Sequence, residues 1–243
     1  MQQPKICVND RQIVAPGDLL AEGELEIPWS PYIFKEKTKY YASVTGIAEV
    51  KDGSLTVIPL KGSKYFPRVG DTVLGAVEDV ELYGWSVDIK APYLAYLPAI
   101  SLLGRPVSPG EELRRYLDVG DYVIAKVEAF DRTTNPILTA KGKDLGKVPE
   151  GTVISVSPVK IPRIIGKNRS MINAMSSLTG CNIEAFPNGM VWVRCPTKAL
   201  EDLINDAIRI IEAESHTRGL TERVTTFIAS KLGGGNVSGT TTP

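Results

Sequence analysis

The chain has 243 residues, 43% of them apolar, and can therefore form two or three small domains with their own cores. Its 28 basic side chains balance 28 acidic ones, which excludes a global field that attracts RNA or membranes; any polyanion site must come from local clustering. The single histidine, His216, argues against a catalytic triad of the serine type and against a multi-histidine metal site.

Cysteine spacing and the absence of long apolar runs indicate the compartment. Cys7, Cys181 and Cys195 form no C-x-x-C pair, and we expect them to be small buried residues in a reducing compartment, without a disulfide. No stretch reaches the roughly 18 apolar residues of a membrane span, and the N-terminus has no apolar core of signal-peptide length. The expected protein is cytoplasmic, makes no membrane contact, and needs no cofactor or metal.

The first half of the chain is predicted to be all-β. Residues 1–66 contain short alternating runs, such as LTVIPL, between Gly and Pro turns, and are expected to form an N-terminal β domain. Residues 67–149 contain the strand-like runs DTVLGAVEDV, GWSVDI, YLAYLP, DYVIAKVEAF and PILTAKG. Five strands in this length favour a small closed barrel of the OB type, interrupted between Ala99 and Tyr116 by a loop with a helical turn.

Two segments of the predicted barrel repeat a short pattern. VGDTVLGAVEDV begins at Val69 and VGDYVIAKVEAF begins at Val119, so the Gly-Asp pair and several valines match at an offset of 50 residues. Each segment has a Gly-Asp turn followed by alternating apolar residues, which is typical of a strand. A true repeat and simple reuse of turn chemistry both explain the match.

A different pattern follows and predicts an α+β domain over residues 150–232. The run TVISVS predicts a strand, SMINAMSSLTG predicts a helix that ends at Gly180, and the tripeptide PNG between CNIEAF and MVWVRC predicts a hairpin. The run TKALEDLINDAIRIIEAES predicts an amphipathic helix, and a further helix is expected around residues 219–231. Residues 233–243 are predicted to form a disordered tail.

Basic residues cluster in the loop before the first helix of this domain. Four of them fall within ten positions around Gly166, and no acidic residue occurs in residues 151–183. The loop leads into a helix whose first N–H groups, together with the helix dipole, form an anion site, and Asn168 or Ser170 is expected to cap that helix. Gly166 allows a phosphate to approach the backbone; an ordinary solvated basic turn is the alternative.

The segment IPRIIGKNRSMINAMSSLTGCNIEAF, followed by NGMVWV, resembles a KH domain over about residues 151–215. In that family an I-G-x-x-G loop clamps the backbone of single-stranded nucleic acid. Residues 164–167 are in register with the motif, whereas Arg169 replaces its second glycine. The resemblance implies contact with a polyanion, in which Arg169 either obstructs the backbone approach or adds a salt contact to phosphate.

The segment VGDTVLGAVEDVELYGWSVDI resembles the opening of the S-one type RNA-binding barrel, and the resemblance covers about residues 67–147. In that family, aromatic side chains on the exposed sheet face stack on bases, each stack contributing roughly 1–3 kcal/mol. Tyr83 and Trp85 lie two positions apart and are expected to share a strand face, with Tyr93 as the next candidate. A core position for Trp85 is the alternative.

A β-rich N-terminal domain, an S-one barrel and one KH domain occur here in the order of the RNA-binding cap subunit of the archaeal exosome, which the chain resembles over nearly its whole length. The resemblance implies that three copies form a cap on a hexameric ring of RNase PH-type subunits. The N-terminal domain would dock on the ring, and the cap would recruit single-stranded RNA and guide it to the pore. The ring, and not the cap, would perform 3′-to-5′ phosphorolysis.

Two alternatives share these modules. The transcription factor NusA has an S-one barrel followed by KH modules, but it has two KH modules and a helical N-terminal domain. Polynucleotide phosphorylase has the modules in the reverse order behind two catalytic domains, for which this chain has no room. No nucleophile with a base, carboxylate pair or metal-ligand set is evident, so intrinsic catalysis is not expected.

The expected RNA contacts form three groups. Aromatic residues of the barrel would stack on bases, cations later in the barrel would meet phosphates near the pore, and the KH loop would make an outer phosphate contact. In that order, the candidates are Tyr83, Trp85 and Tyr93; Lys126, Arg132 and Lys141; and Arg163, Gly166, Lys167, Asn168 and Arg169.

Overall fold

The computed structural model divides into two compact units, Met1–Ser63 and Lys64–Pro243. It describes residues 5–25, 27, 30–51, 53–60, 64–214, 217 and 219–233. His216 lies outside the described residues, as does the predicted disordered tail apart from Gly233, which ends a helix.

Short antiparallel strands build the N-terminal unit. They are β1 (Lys5–Ile6), β2 (Ile13–Val14), β3 (Leu19–Glu22), β4 (Ile33–Glu36), β5 (Lys39–Ala42), β6 (Gly46–Lys51) and β7 (Ser54–Pro59). One sheet has the order β1-β3-β5-β4 and the other the order β2-β6-β7. Alternation along the strands buries Leu20, Ala42 and Leu55 in one apolar cluster. The prediction of an all-β N-terminal domain is confirmed.

The second unit begins with a closed barrel. Its strands are β8 (Thr72–Val80), β9 (Gly84–Asp88), β10 (Leu94–Pro98), β11 (Tyr122–Ala129) and β12 (Ile137–Thr139). The order β12-β10-β9-β8-β11, with β11 also paired to β12, closes the sheet and confirms the predicted five-stranded OB-type barrel. The interruption contains helix α1 (Ala99–Leu103) and a 3₁₀ turn (Leu113–Arg115). The short strand β13 (Gly146–Lys147) pairs antiparallel with the start of β11.

The repeated Gly-Asp turns have a structural reason. β8 and β11 are antiparallel neighbours. Gly70 N–H donates to the carbonyl of Val127 at 2.8 Å, and Gly120 N–H donates to the carbonyl of Val77 at 2.9 Å. The N–H groups of both valines return a bond to the aspartate carbonyl of the opposite turn at 2.8 Å. The match at an offset of 50 residues therefore corresponds to a local twofold symmetry of this strand pair.

The KH module has the predicted strand, helix, hairpin and two later helices, but a short helix (Ile161–Ile165) occupies part of the segment predicted as loop. Its elements are β14 (Thr152–Ser155), α2 (Ile161–Ile165), α3 (Ser170–Thr179), β15 (Asn182–Ala185), β16 (Met190–Arg194), α4 (Lys198–Glu214) and α5 (Leu220–Gly233). The antiparallel sheet has the order β14-β16-β15, which leaves β15 at an edge. Ile164, Met175 and Ile204 lie in the apolar core that joins helices and sheet. The predicted α+β domain is confirmed.

Two of the three cysteines are bonded, so the expectation of unpaired cysteines is wrong for this pair. Cys181 precedes β15 and Cys195 follows β16, and the register that pairs Asn182 with Arg194 places them directly opposite each other. Their Cα atoms are 4.3 Å apart and their sulfurs form a disulfide. Cys7 is exposed rather than buried. Sequence spacing did not indicate the bond because it depends on the hairpin register.

The barrel and the KH module share a core. Asn188, at the tip of the β15–β16 hairpin, is 1% exposed, and its Nδ2 donates to the carbonyls of Leu74 at 2.7 Å and Ile89 at 3.0 Å. An apolar cluster surrounds this contact; its buried members are Leu74, Ile124, Val148, Phe186, Met190 and Trp192. The KH hairpin thus packs on the outer face of β8 and β11, and the two modules form one compact unit.

Candidate nucleic-acid interface

The two aromatic candidates in the first barrel hairpin have opposite environments. Tyr83 is 64% exposed in the turn before β9, as base stacking requires. Trp85 is fully buried inside the barrel, and its Nε1 donates to the carbonyl of Leu117 at 2.9 Å. The expectation that both share an exposed face is wrong, because Tyr83 lies outside the strand and strand alternation does not extend through a turn.

Tyr93 lies at the other end of the β9–β10 hairpin. Gly84 pairs with Pro98 beside Tyr83, whereas Asp88 pairs with Leu94 beside Tyr93. At about 3.3 Å per residue, the two tyrosines are separated by a strand length on the order of 15 Å. The structure therefore does not combine them into one stacking platform.

Tyr93 instead has an aromatic neighbour that sequence reasoning missed. Its ring meets Phe130 edge to face, with centroids 5.1 Å apart and an interplanar angle of 67°. Phe130 directly follows β11 and is half-buried, as Tyr93 is. A register shift between Val127 and Ala129 breaks the alternation just before it, so the strand pattern does not show on which face Phe130 lies.

The three predicted barrel cations lie along the seam between β11 and β12. Lys126 is exposed on β11 and pairs in register with Thr139 of β12, and the exposed Lys141 follows two residues later. Arg132 is exposed in the turn that connects the two strands. We call Lys126, Arg132 and Lys141 the seam cations. All three lie on one pair of strands or beside the turn between them, on a chain of zero net charge.

The side chain of Asp131 fixes the backbone on either side of Arg132. Asp131 Oδ1 accepts the N–H groups of Thr133 at 2.9 Å and Thr134 at 3.1 Å. The side-chain hydrogen bond of Thr133, followed by these backbone bonds, lowers the pKa of Asp131 below its ordinary value. The carboxylate is therefore ionised at neutral pH and fixes the turn from which Arg132 projects.

The KH loop adopts a compact left-handed path. Gly166 has φ 73°, and a Cβ at this position would lie 2.7 Å from the backbone nitrogen of Met171, so only glycine fits. Asn168 and Arg169 have φ values of 53° and 62°. No side chain caps α3, so the expectation of a cap from Asn168 or Ser170 is wrong. The first N–H groups of α3 thus lack a side-chain acceptor.

The loop separates two clefts and divides its cations between them. Arg163, Gly166 and Lys167 line a cleft of 640 Å³ whose other wall is formed by residues 219–222 at the start of α5; we call this the loop cleft. Arg169 lines a second cleft, of 410 Å³, on the side of the barrel. The four loop candidates that carry charge or admit phosphate therefore do not form one patch.

Other kinds of site are not found in the described part of the chain. Within it, no group of three or more His, Cys, Asp or Glu side chains is placed to hold a metal ion. No helix among the described residues has the length and apolarity needed to cross a bilayer.

Comparison with known proteins identifies the N-terminal domain, the KH domain and the family of the whole chain. Residues 11–61 match the family model described as the exosome RNA binding protein RRP4 N-terminal domain, and residues 151–217 match the KH domain model. A solved structure of a proposed exosome complex RNA-binding protein has a TM-score of 0.67 and 40% identity, covering 70% of this chain and 98% of that one.

Relatives named exosome complex component Rrp4 match along nearly their full length. The protein of Sulfolobus acidocaldarius is 59% identical, with 96% of this chain and 94% of the relative covered. That of Saccharolobus solfataricus is 57% identical over 98% and 95%, and that of Thermococcus kodakarensis is 41% identical over 94% and 89%. With its N-terminal β unit, OB-type barrel and KH module in this order, the chain belongs to the archaeal Rrp4 family of exosome components.

Proposed function

We propose that the chain is a non-catalytic RNA-binding cap subunit of a cytoplasmic exosome. It recruits single-stranded RNA and guides it into the pore of a hexameric ring of RNase PH-type subunits, which degrade it by 3′-to-5′ phosphorolysis. The observation that carries the proposal is the 59% identity, over 96% of the chain, to a protein named exosome complex component Rrp4.

The barrel surface supports a weak and sequence-tolerant grip. The seam cations neutralise phosphates, and the exposed ring of Tyr83 offers a stacking face that accepts any base. Phe130 and Tyr93 add a second aromatic site at the far end of the β9–β10 hairpin. Such contacts hold a strand without fixing its register, so the RNA can slide toward the ring.

Assembly compensates for the weakness of each site. If three copies surround one pore, an RNA bound to one barrel experiences the neighbouring barrel at a high effective concentration. The overall avidity for RNA then exceeds the affinity of each single site. The loop cleft, with Arg163 and Lys167, adds a phosphate contact farther from the barrel. The N-terminal unit would provide the docking surface for the ring.

Reconstitution tests this function. The purified chain is mixed with RNase PH-type ring subunits, and co-elution and phosphate-dependent loss of 5′-labelled RNA are measured. We expect the chain alone to leave RNA intact, to co-elute with the ring, and to accelerate degradation at subsaturating RNA. A matched variant with Lys126→Glu and Lys141→Glu should co-elute but lose the acceleration.

Two outcomes would contradict the proposal. Nucleotide release by the chain alone would show an enzyme. Failure to join the ring, together with capture of RNA polymerase subunits from native lysate, would favour a NusA-like transcription factor.

A further inference from the structure

A further cleft, of 610 Å³, lies between the barrel and the KH module on the β14 side of the KH sheet. Its walls come from the second Gly-Asp turn of the barrel, from the linker between β13 and β14, and from the KH sheet. The lining residues are 120–122, 147–151, Val153 and Trp192. We call it the linker cleft. It shares no residue with the loop cleft or with the cleft that Arg169 lines.

The strand that borders the linker cleft, β14, is an unpaired edge of the KH sheet. Val156 N–H donates to the carbonyl of Gly189 at 2.8 Å, and the register pairs Ser155 with Met190. The alternation of an antiparallel pair therefore directs the N–H and C=O groups of Val153 and Ser155 away from β16. No described strand pairs with β14 on that side. The edge thus presents two backbone donors and two acceptors in the spacing of a strand.

The sequence of β14 leaves this edge open to pairing. Proteins often protect an edge strand with a bulge, a proline or a charged side chain, and β14 has none of them. Such an edge is a template for strand addition, in which the main chain of an extended peptide pairs with the sheet and alternate side chains enter adjacent pockets. The linker cleft lies beside the edge, since Val153 lines it, and supplies such a pocket.

The wall of the linker cleft contains a buried hydrogen-bond donor without an acceptor. Trp192 is 5% exposed, and its Nε1 donates to no described residue. This atom lies beside Gly151, where an ideal Cβ would be 2.5 Å from it, and both residues line the cleft. A buried donor left unpaired costs about 1–3 kcal/mol. A ligand oxygen at this wall would therefore form a hydrogen bond that the chain by itself leaves unmade.

The charges of the linker cleft favour a basic ligand. Its charged lining residues are Asp121, Lys147 and Glu150. Lys147 Nζ is 2.6 Å from Asp121 Oδ2, so these two charges neutralise each other. The exposed Glu150 has no ion-pair partner among the residues that the structure describes. The remaining negative charge repels the phosphates of RNA and attracts a lysine or an arginine.

We propose that the edge of β14 and the linker cleft bind an extended peptide segment of a partner protein, which adds a strand to the KH sheet and carries a lysine or arginine toward Glu150. The chain's own residues 234–243 contain neither lysine nor arginine and do not meet this requirement. The site includes none of the seam cations and no residue of the loop cleft, so it leaves both to RNA. The proposal does not depend on the proposed RNA-binding function.

Peptides test the site on the full chain. The ¹⁵N-labelled protein is titrated with an equimolar pool of capped hexapeptides that contain valine and threonine around one central arginine. We expect the backbone amide signals of Val153 and Ser155 and the indole N–H signal of Trp192 to shift together. A second pool, with glutamate in place of the arginine, should bind roughly tenfold more weakly because like charges then meet at Glu150. No shift with the arginine pool, or equal binding of the two pools, would overturn the proposal.

A matched pair of variants tests strand addition. Ser155→Pro removes one outward-facing N–H from the edge without removing a hydrogen bond to β16, and proline is tolerated at such a position. Ser155→Ala changes the same exposed side chain but keeps the N–H. Ser155→Pro should bind the arginine pool roughly fivefold more weakly, the order expected for one hydrogen bond, and Ser155→Ala should bind it as the wild type does. Equal binding by both variants would contradict pairing along β14.

A second measurement decides if Ser155→Pro does not fold. An arginine pool that is N-methylated at every second residue cannot donate hydrogen bonds to the edge, and it should lose most of its affinity for the wild-type chain. Equal affinity of the methylated and unmethylated pools would exclude strand addition.

Other occupants of the edge have their own signatures. Changes of the same three signals on dilution of the chain alone would assign the edge to a second copy. Shifts with a single-stranded RNA oligonucleotide, but none with the arginine pool, would assign the cleft to RNA. Either result overturns the peptide site and leaves the exosome function standing, because that function is tested by RNA degradation with the ring.

Discussion

At the residue scale, Arg169 occupies the position at which the KH loop motif has its second glycine. Its backbone is left-handed, with φ 62° and ψ 18°, a conformation that costs a non-glycine residue about 1–2 kcal/mol. The side chain lines the cleft of 410 Å³ on the side of the barrel, whereas Lys167 lines the loop cleft. The loop therefore accommodates an arginine at this position and directs its charge away from the other loop cations.

Replacing Arg169 by glycine removes the charge of the side chain while the backbone conformation of the loop stays accessible. Arg169→Gly should leave the free energy of unfolding within about 1 kcal/mol of the wild type, because glycine suits the conformation. If Arg169 meets one phosphate, the slope of log affinity against log salt for single-stranded RNA should fall by about 0.7. Urea denaturation and RNA titrations at several salt concentrations measure both quantities. An unchanged slope would show that Arg169 contacts no phosphate. The control is Arg209→Gln, which removes one charge from helix α4; glycine is avoided there because it destabilises a helix.

Tyr83 and Trp85 should respond oppositely to truncation. Tyr83→Ala removes an exposed ring and should weaken RNA binding by roughly 1–3 kcal/mol with little change in stability. Trp85→Ala empties the barrel interior and should lower the free energy of unfolding by about 3–5 kcal/mol. RNA titration and urea denaturation of both variants measure this. Unaltered RNA affinity in the folded Tyr83 variant would exclude its ring from the binding surface.

At the element scale, the β15–β16 hairpin is closed at both ends. The tip is held through Asn188 and the open end by the disulfide between Cys181 and Cys195. The hairpin is thus fixed to the barrel at its tip and cross-linked between its two strands at its open end.

Removal of the disulfide should destabilise the hairpin. The bonded residues are 14 positions apart, and a loop of this size contributes about 3 kcal/mol when cross-linked. The double variant Cys181→Ala and Cys195→Ala should lose that amount in the free energy of unfolding under oxidising conditions. Dithiothreitol should abolish most of the difference in unfolding free energy between the wild type and this variant. Cys7→Ala, at the exposed cysteine, is the matched control. A wild-type chain that is equally stable with and without reductant would contradict the role of the bond.

At the scale of the whole molecule, the second unit is a barrel and a KH module with one shared core. The hairpin tip enters the outer face of β8 and β11 at the centre of their local twofold symmetry, where Leu74 and Ile124 pair. The two Gly-Asp turns consequently border clefts on the two sides of this contact. The cleft of 410 Å³ that Arg169 lines depends on this packing, because its walls come from both modules.

Asn188 is the polar link between the modules. Asn188→Ala removes two hydrogen bonds and leaves the carbonyls of Leu74 and Ile89 buried without them, which should cost about 1–3 kcal/mol in the free energy of unfolding. Hydrogen exchange of the backbone amides of residues 70–72 and 184–186 should rise together. Asn182→Ala, at an exposed position of the same hairpin, should change neither quantity. Unchanged exchange in Asn188→Ala would show that apolar packing alone joins the modules.

Much of the fold follows from local sequence patterns. Alternation predicted the barrel strands, helical spacing predicted α3 and α4, and the tripeptide PNG predicted the hairpin. The spacing of the seam cations also corresponds to one pair of strands, since Lys126 and Lys141 flank a single turn. Such features need only neighbours in the chain, so one sequence is enough to reveal them.

The sequence by itself determined the order of the modules, the elements within them and the presence of a basic loop. Only the tertiary structure decided that Trp85 faces the interior, that Cys181 meets Cys195, that Phe130 joins Tyr93, and that Arg169 faces the barrel. Each of these depends on strand register, on a bulge, or on how two modules pack. Those are contacts between distant parts of the chain, and periodicity, being local, carries no information about them.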